Sequence, residues 1–73
     1  MEILINKKAR ILLKEGTGAM REMGKAFWGS IKDFTEVYQQ NLSGYISKIL
    51  LVEDAFGEKS FIPLDDVENI QYI

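Results

Sequence analysis

The chain contains no cysteine and no histidine. Disulfide staples are therefore impossible, and the ligands from which structural zinc sites are usually built are missing. The same absences remove an imidazole base, a thiolate nucleophile and any Cys–His pair. Carboxylates, lysines and tyrosines remain, but few enzymes of 73 residues work with those alone. The expectation is a non-catalytic protein without metal or other cofactor. Long apolar runs are also missing: the longest strongly apolar stretch, Ile49–Val52, is far short of the roughly 20 residues a membrane-spanning helix needs. The opening Met1-Glu2-Ile3-Leu4-Ile5-Asn6 places an acid where a signal peptide carries a base. These features read as a cytoplasmic protein with no membrane partner, and as a complete short gene product.

Hydrophobic residues make up 47% of the chain and charged residues 27%, a balance that favours folding over disorder. The length allows one domain, residues 1–73. A domain this small buries only roughly 60–65% of its unfolded surface and often relies on a staple. With disulfides and zinc excluded, assembly into a homo-oligomer is the staple that remains. Charge is unevenly placed: residues 1–32 carry seven basic against three acidic residues, residues 33–73 two against eight, for a net −2. Such a layout suits an anionic ligand at the basic end, head-to-tail contact between copies, or nothing beyond solubility. The negative total disfavours duplex nucleic acid as a partner.

Along the chain, residues 8–15 (KARILLKE) alternate as a strand does, with Lys8, Arg10, Leu12 and Lys14 on one side and Ala9, Ile11, Leu13 and Glu15 on the other. A helix ending at Gly16 is the rival reading. Gly16-Thr17-Gly18 breaks the pattern, and Thr17 is suited to cap a helix. Met20, Met23, Phe27, Ile31, Phe34, Tyr38 and Leu42 then recur at steps of three and four, which predicts an amphipathic helix of about seven turns. Ser43-Gly44 would close it, while Gly24 and Gly29 would weaken its interior. Beyond Gly44 the period changes. YISKILLVED reads as a buried strand, DAFG as a type I turn leading into a bulged hairpin, and EKSFIPL as the partner strand, ended or placed at an edge by Pro63. LDDVEN reads as one helical turn with Asp65 as its cap, and NIQYI as a last short strand. The expected fold is α+β: one long amphipathic helix packed on a small antiparallel sheet, in the order β-α-β-β-β, the last three strands forming a meander.

The residues after Gly44 resemble the closing strands of small SH3-like barrels, in which a hairpin is followed by a tight turn and an edge strand. The resemblance covers under half the chain, rests on turn spacing and implies no function.

Two nucleotide motifs fail. GTGAMR begins as a dinucleotide fingerprint, but Arg21 stands at the third glycine position; AMREMGKA has Ala19 and Ala26 at two defining positions of a P-loop. A weaker phosphate site survives at the N-terminal end of the expected helix, built from Lys14, Gly16, Thr17 and Gly18. Asp65, Asp66 and Glu68 are better explained by capping a turn than by metal binding, and the pattern of an EF-hand loop is absent.

Trp28, the only tryptophan, carries most of the functional argument. Wound as a helix at about 100° per residue, the chain puts the apolar residues on one arc and Trp28 outside it. Arg21, Lys25, Lys32, Thr35 and Gln39 continue its stripe, so these six positions form the candidate contact surface. A tryptophan there can cover the edge of the core, anchor a protein partner or a second copy, or stack on a base while the cations hold phosphates. The leading expectation is a small binding protein, self-associating, that occupies or blocks a partner protein. Compact, acidic, motif-free chains of this length are common among phage-encoded inhibitors, an association that would put it in a host cytoplasm. The alternatives are a sponge that sequesters a small anionic ligand such as a nucleotide, and an auxiliary subunit of a larger assembly.

Overall fold

The structure, a computed structural model, describes residues 2–38 and 46–73. It consists mainly of five antiparallel strands: β1 (Lys8–Leu13), β2 (Ala26–Tyr38), β3 (Ile46–Glu53), β4 (Lys59–Pro63) and β5 (Val67–Tyr72). The strands lie in the order β4-β3-β2-β1-β5. One six-residue helix, α1 (Gly18–Met23), joins β1 to β2, and a 3₁₀ turn at Leu64–Asp66 joins β4 to β5.

The long amphipathic helix expected from the three-and-four spacing is therefore absent among the described residues. Its first turns are α1, and the rest, as far as it is described, is the thirteen-residue strand β2. Leu42, Ser43 and Gly44, read as the end of that helix, lie outside the described residues. The reasons are local. Gly24 ends α1 with φ 83°, donating its N–H to the Met20 carbonyl at 2.8 Å. From Ala26 the chain is rich in aromatic and β-branched residues, which fit a pleated surface better than a helix.

The misleading period has two sources. Phe27, Gly29 and Ile31 sit at alternate positions facing the core, but Gly29 has no side chain, so the visible apolar step is four. A β-bulge between Ile31 and Asp33 then shifts the phase by one, so the next inward residue is Phe34, opposite buried Leu50, and the step is three. A bulged strand with a glycine in its inner row thus imitates a helical repeat.

Gly29 is required by close approach. A Cβ there would strike the Glu53 carbonyl oxygen and come within 2.7 Å of the Phe27 ring. The core lies inside the curled sheet. Ala9, Ile11 and Leu13 from β1 meet Ile31, Leu50, Val52, Ile62 and Val67, with Ala19 of α1 at one end. Fully buried Ile62 comes from one edge strand and Val67 from the other, so the sheet must bend around one cluster.

The C-terminal region departs from the expected meander. β3 and β4 form the hairpin, but β5 crosses to pair with β1, with Ile11 opposite Ile70 and Ala9 opposite Tyr72. The turn before β5 is 3₁₀, with Pro63 rather than Asp65 at its N-cap position. The Tyr72 hydroxyl ties down the N-terminal segment: it accepts from the Leu4 N–H at 2.7 Å and donates to the Glu2 carbonyl at 2.9 Å. No helix among the described residues is long and apolar enough to cross a membrane.

Candidate interaction surface

Alternation along β1 buries Ala9, Ile11 and Leu13 and turns Lys8, Arg10 and Leu12 outward. The register then builds a row across three strands: Trp28 of β2 stands opposite Arg10 of β1, which stands opposite Gln71 of β5. Trp28 is 57% exposed. The Arg10 guanidinium lies over its ring, 5.6 Å from the centroid, a contact worth about 0.5–1 kcal/mol at an exposed site. Arg10 also donates through Nη1 to the Gln71 side-chain oxygen at 2.9 Å. A long, flexible cation is thus held by its neighbours on both sides, which lowers the entropy it would lose on binding.

Two clefts flank this row. One, of about 440 Å³, lies between Trp28 and Ile73 and is closed on another side by Asp54 and Ala55 of the β3–β4 turn. The other, of about 680 Å³, is lined by Arg10, Leu12, Leu13, Lys14, Glu15, Lys25 and Glu68. Its Lys25 and Glu15 approach to 3.7 Å but are both highly exposed, so the pair stays hydrated and constrains either side chain little.

The residues read from the sequence as one helical stripe fall on separate elements. Arg21 lies exposed on α1, Lys25 between α1 and β2, Lys32 at the β2 bulge, and Thr35 exposed farther along β2. Gln39 lies outside the described residues. Lys32 donates to the Asn6 side-chain oxygen at 3.3 Å and sits 4.0 Å from the Glu53 carboxylate, so its charge is directed within the chain. Trp28 itself projects from a sheet, and the cation against its ring is Arg10.

The phosphate site read around Lys14, Gly16, Thr17 and Gly18 meets a different occupant. The Thr17 hydroxyl caps α1, accepting from Met20 N–H at 3.3 Å and donating to the Lys14 carbonyl at 2.7 Å. The Asp66 carboxylate accepts from Ala19 N–H at 3.4 Å. An acidic side chain already stands where an anion would have to sit, and it would repel one. Among the described residues, no group of three or more acidic side chains could hold a metal ion.

Arg10 and Gln71 were not singled out from the sequence. The outward position of Arg10 was legible in the alternation of β1, but its neighbours depend on strand order, which no local pattern encodes. No protein family, curated protein or solved structure compared with the chain gives a significant match.

Proposed function

We propose that the protein is a non-catalytic cytoplasmic binding module that acts by occupying a partner protein through the outer face of β1, β2 and β5. The observation that carries this reading is the row Trp28–Arg10–Gln71: an exposed indole with a guanidinium fixed against it. Tryptophan and arginine dominate binding hot spots because each combines a large contact area with directional polar groups. Exposed Lys8, Lys14 and Lys25 add positive charge on or beside the same face, although the whole chain is acidic. The complementary surface is an apolar spot ringed by carboxylates.

The test is co-purification from extract with wild-type bait, identification of what is retained, and repetition with Arg10→Glu and Trp28→Ala. The reading expects both variants to lose the partner, with Arg10→Glu keeping a cooperative thermal transition. Retention of the same partner by both variants refutes it.

A second reading, sequestration of a small anionic ligand such as a nucleotide, is supported by the cleft in which Arg10, Lys14 and Lys25 outnumber Glu15 and Glu68. It predicts thermal stabilisation by nucleotides in excess of their dissociation constant. A panel that leaves the transition unmoved rejects it.

A further inference from the structure

The β3–β4 turn holds a phenylalanine out into solvent on a rigid mount. Phe56 is 95% exposed, so it contributes almost nothing to the packing of its own chain. The turn beneath it is closed by Gly57 N–H to the Asp54 carbonyl (3.2 Å) and Asp54 N–H to the Glu58 carbonyl (3.0 Å), with Gly57 at φ 80°. The Asp54 carboxylate accepts from the N–H groups of Phe56 (2.8 Å) and Glu58 (3.0 Å). The turn backbone is therefore held before binding, so association has only the Phe56 side chain left to order there.

Beside that knob lies a hole. Asp54 and Ala55 of the same turn form one wall of the cleft of about 440 Å³, and Trp28 and Ile73 form others. Ile73 is 76% exposed, although its N–H is held by the Lys8 carbonyl at 3.0 Å. The chain's own Phe56 does not fill the cleft, since its ring is almost wholly in solvent.

We infer that the protein forms a two-fold dimer in which Phe56 of each copy enters the Trp28–Ile73 cleft of the other. Knob and hole adjoin through one turn, so an axis passing beside that turn completes both insertions at once, as an isologous contact requires. Of the acidic residues that also line the cleft, Glu53 lies 4.0 Å from Lys32 and the Asp54 carboxylate accepts from its own turn amides. Exposed Lys8 is therefore the rim charge that would face Glu58 of the other copy. With aromatic side chains contributing about 200 Å² each, the exposed parts of Trp28 and Phe56 come to roughly 300 Å² per copy before Ile73 is added. That is a large share of the apolar part of an interface of about 1,200–2,000 Å². It also supplies the staple that a 73-residue chain without cysteine lacks.

Sedimentation equilibrium on four samples tests this: wild type, Phe56→Asn, Ile73→Asp, and an equimolar mixture of the two variants. Asparagine suits the turn, so Phe56→Asn removes the knob alone, while Ile73→Asp charges the hole. Wild type is expected to dimerise and each variant to weaken dimerisation on the order of a hundredfold, two hot-spot contacts being lost together. In the mixture, one knob and one hole remain intact, so a heterodimer should form more tightly than either variant homodimer. A monomeric wild type, a Phe56→Asn dimer as tight as wild type, or a mixture no tighter than its components overturns the inference. The two associations share Trp28, so dimer and partner compete for it. Arg10 does not line this cleft, and capture by the monomeric Phe56→Asn variant against its Arg10→Glu derivative reads partner binding apart from dimerisation.

Discussion

Replacing Gly29 by alanine tests the fold through the sign of the effect. In the sheet, the added Cβ would collide with the Glu53 carbonyl oxygen, lie 3.0 Å from the Glu53 carbonyl carbon and 2.7 Å from the Phe27 ring. Two of these are backbone atoms of β3, held in register by the pairing of Ser30 with Glu53, so they cannot swing aside. The ring is packed against the core. Overpacking of this kind costs about 1–3 kcal/mol, and the lower entropy of the unfolded alanine chain returns up to about 1 kcal/mol. The net expectation is a loss of about 1–2 kcal/mol. A helix at the same position would instead gain up to about 1 kcal/mol from the substitution. Urea unfolding in a Phe56→Asn background keeps the reaction unimolecular. With a slope of about 1 kcal/mol per molar for a small domain, the midpoint should fall by about 1–2 M. An unchanged or higher midpoint would refute the close approach of β2 and β3 and the reading of β2 built on it.

Other outcomes follow from particular contacts. Tyr72→Phe should cost about 1 kcal/mol and speed hydrogen exchange at the Leu4 amide, because the hydroxyl that accepts from it is gone. Asp54→Ala should cost about 1–2 kcal/mol by freeing two turn amides, and should weaken dimerisation by loosening the mount of Phe56. Thr17→Ala should cost about 1 kcal/mol through the lost cap of α1, measured by thermal unfolding.

Much of the local structure was legible. The alternation at residues 8–15 marks β1, DAFG marks the β3–β4 turn, and Pro63 ends β4 as its missing N–H requires. Thr17 was readable as a cap because its side chain acts on the neighbouring backbone. What failed was the segment from Phe27 to Tyr38, where a glycine in the inner row and a bulge at Lys32 turned a period of two into steps of four and three. Residue type held the corrective signal, since Phe27, Trp28, Ile31, Phe34, Thr35, Val37 and Tyr38 are all residues that favour strands. The surface was legible only in part. The outward position of Trp28 was reached by winding the segment as a helix. In the sheet it follows instead from strand alternation with Phe27 and Gly29, and the partnership with Arg10 and Gln71 arises from β1 lying between β2 and β5. Strand order is a property of the closed core and has no local signature.

Both proposed associations require the indole of Trp28 to stand in solvent in the single chain and to become covered only on association. As the only tryptophan it reports without interference, so acrylamide quenching across a dilution series measures the claim directly. At high dilution the account predicts red-shifted emission and efficient quenching, with both shielding and a blue shift growing as concentration rises. Emission that is blue-shifted and protected from quencher in the fully dissociated, folded chain would contradict it.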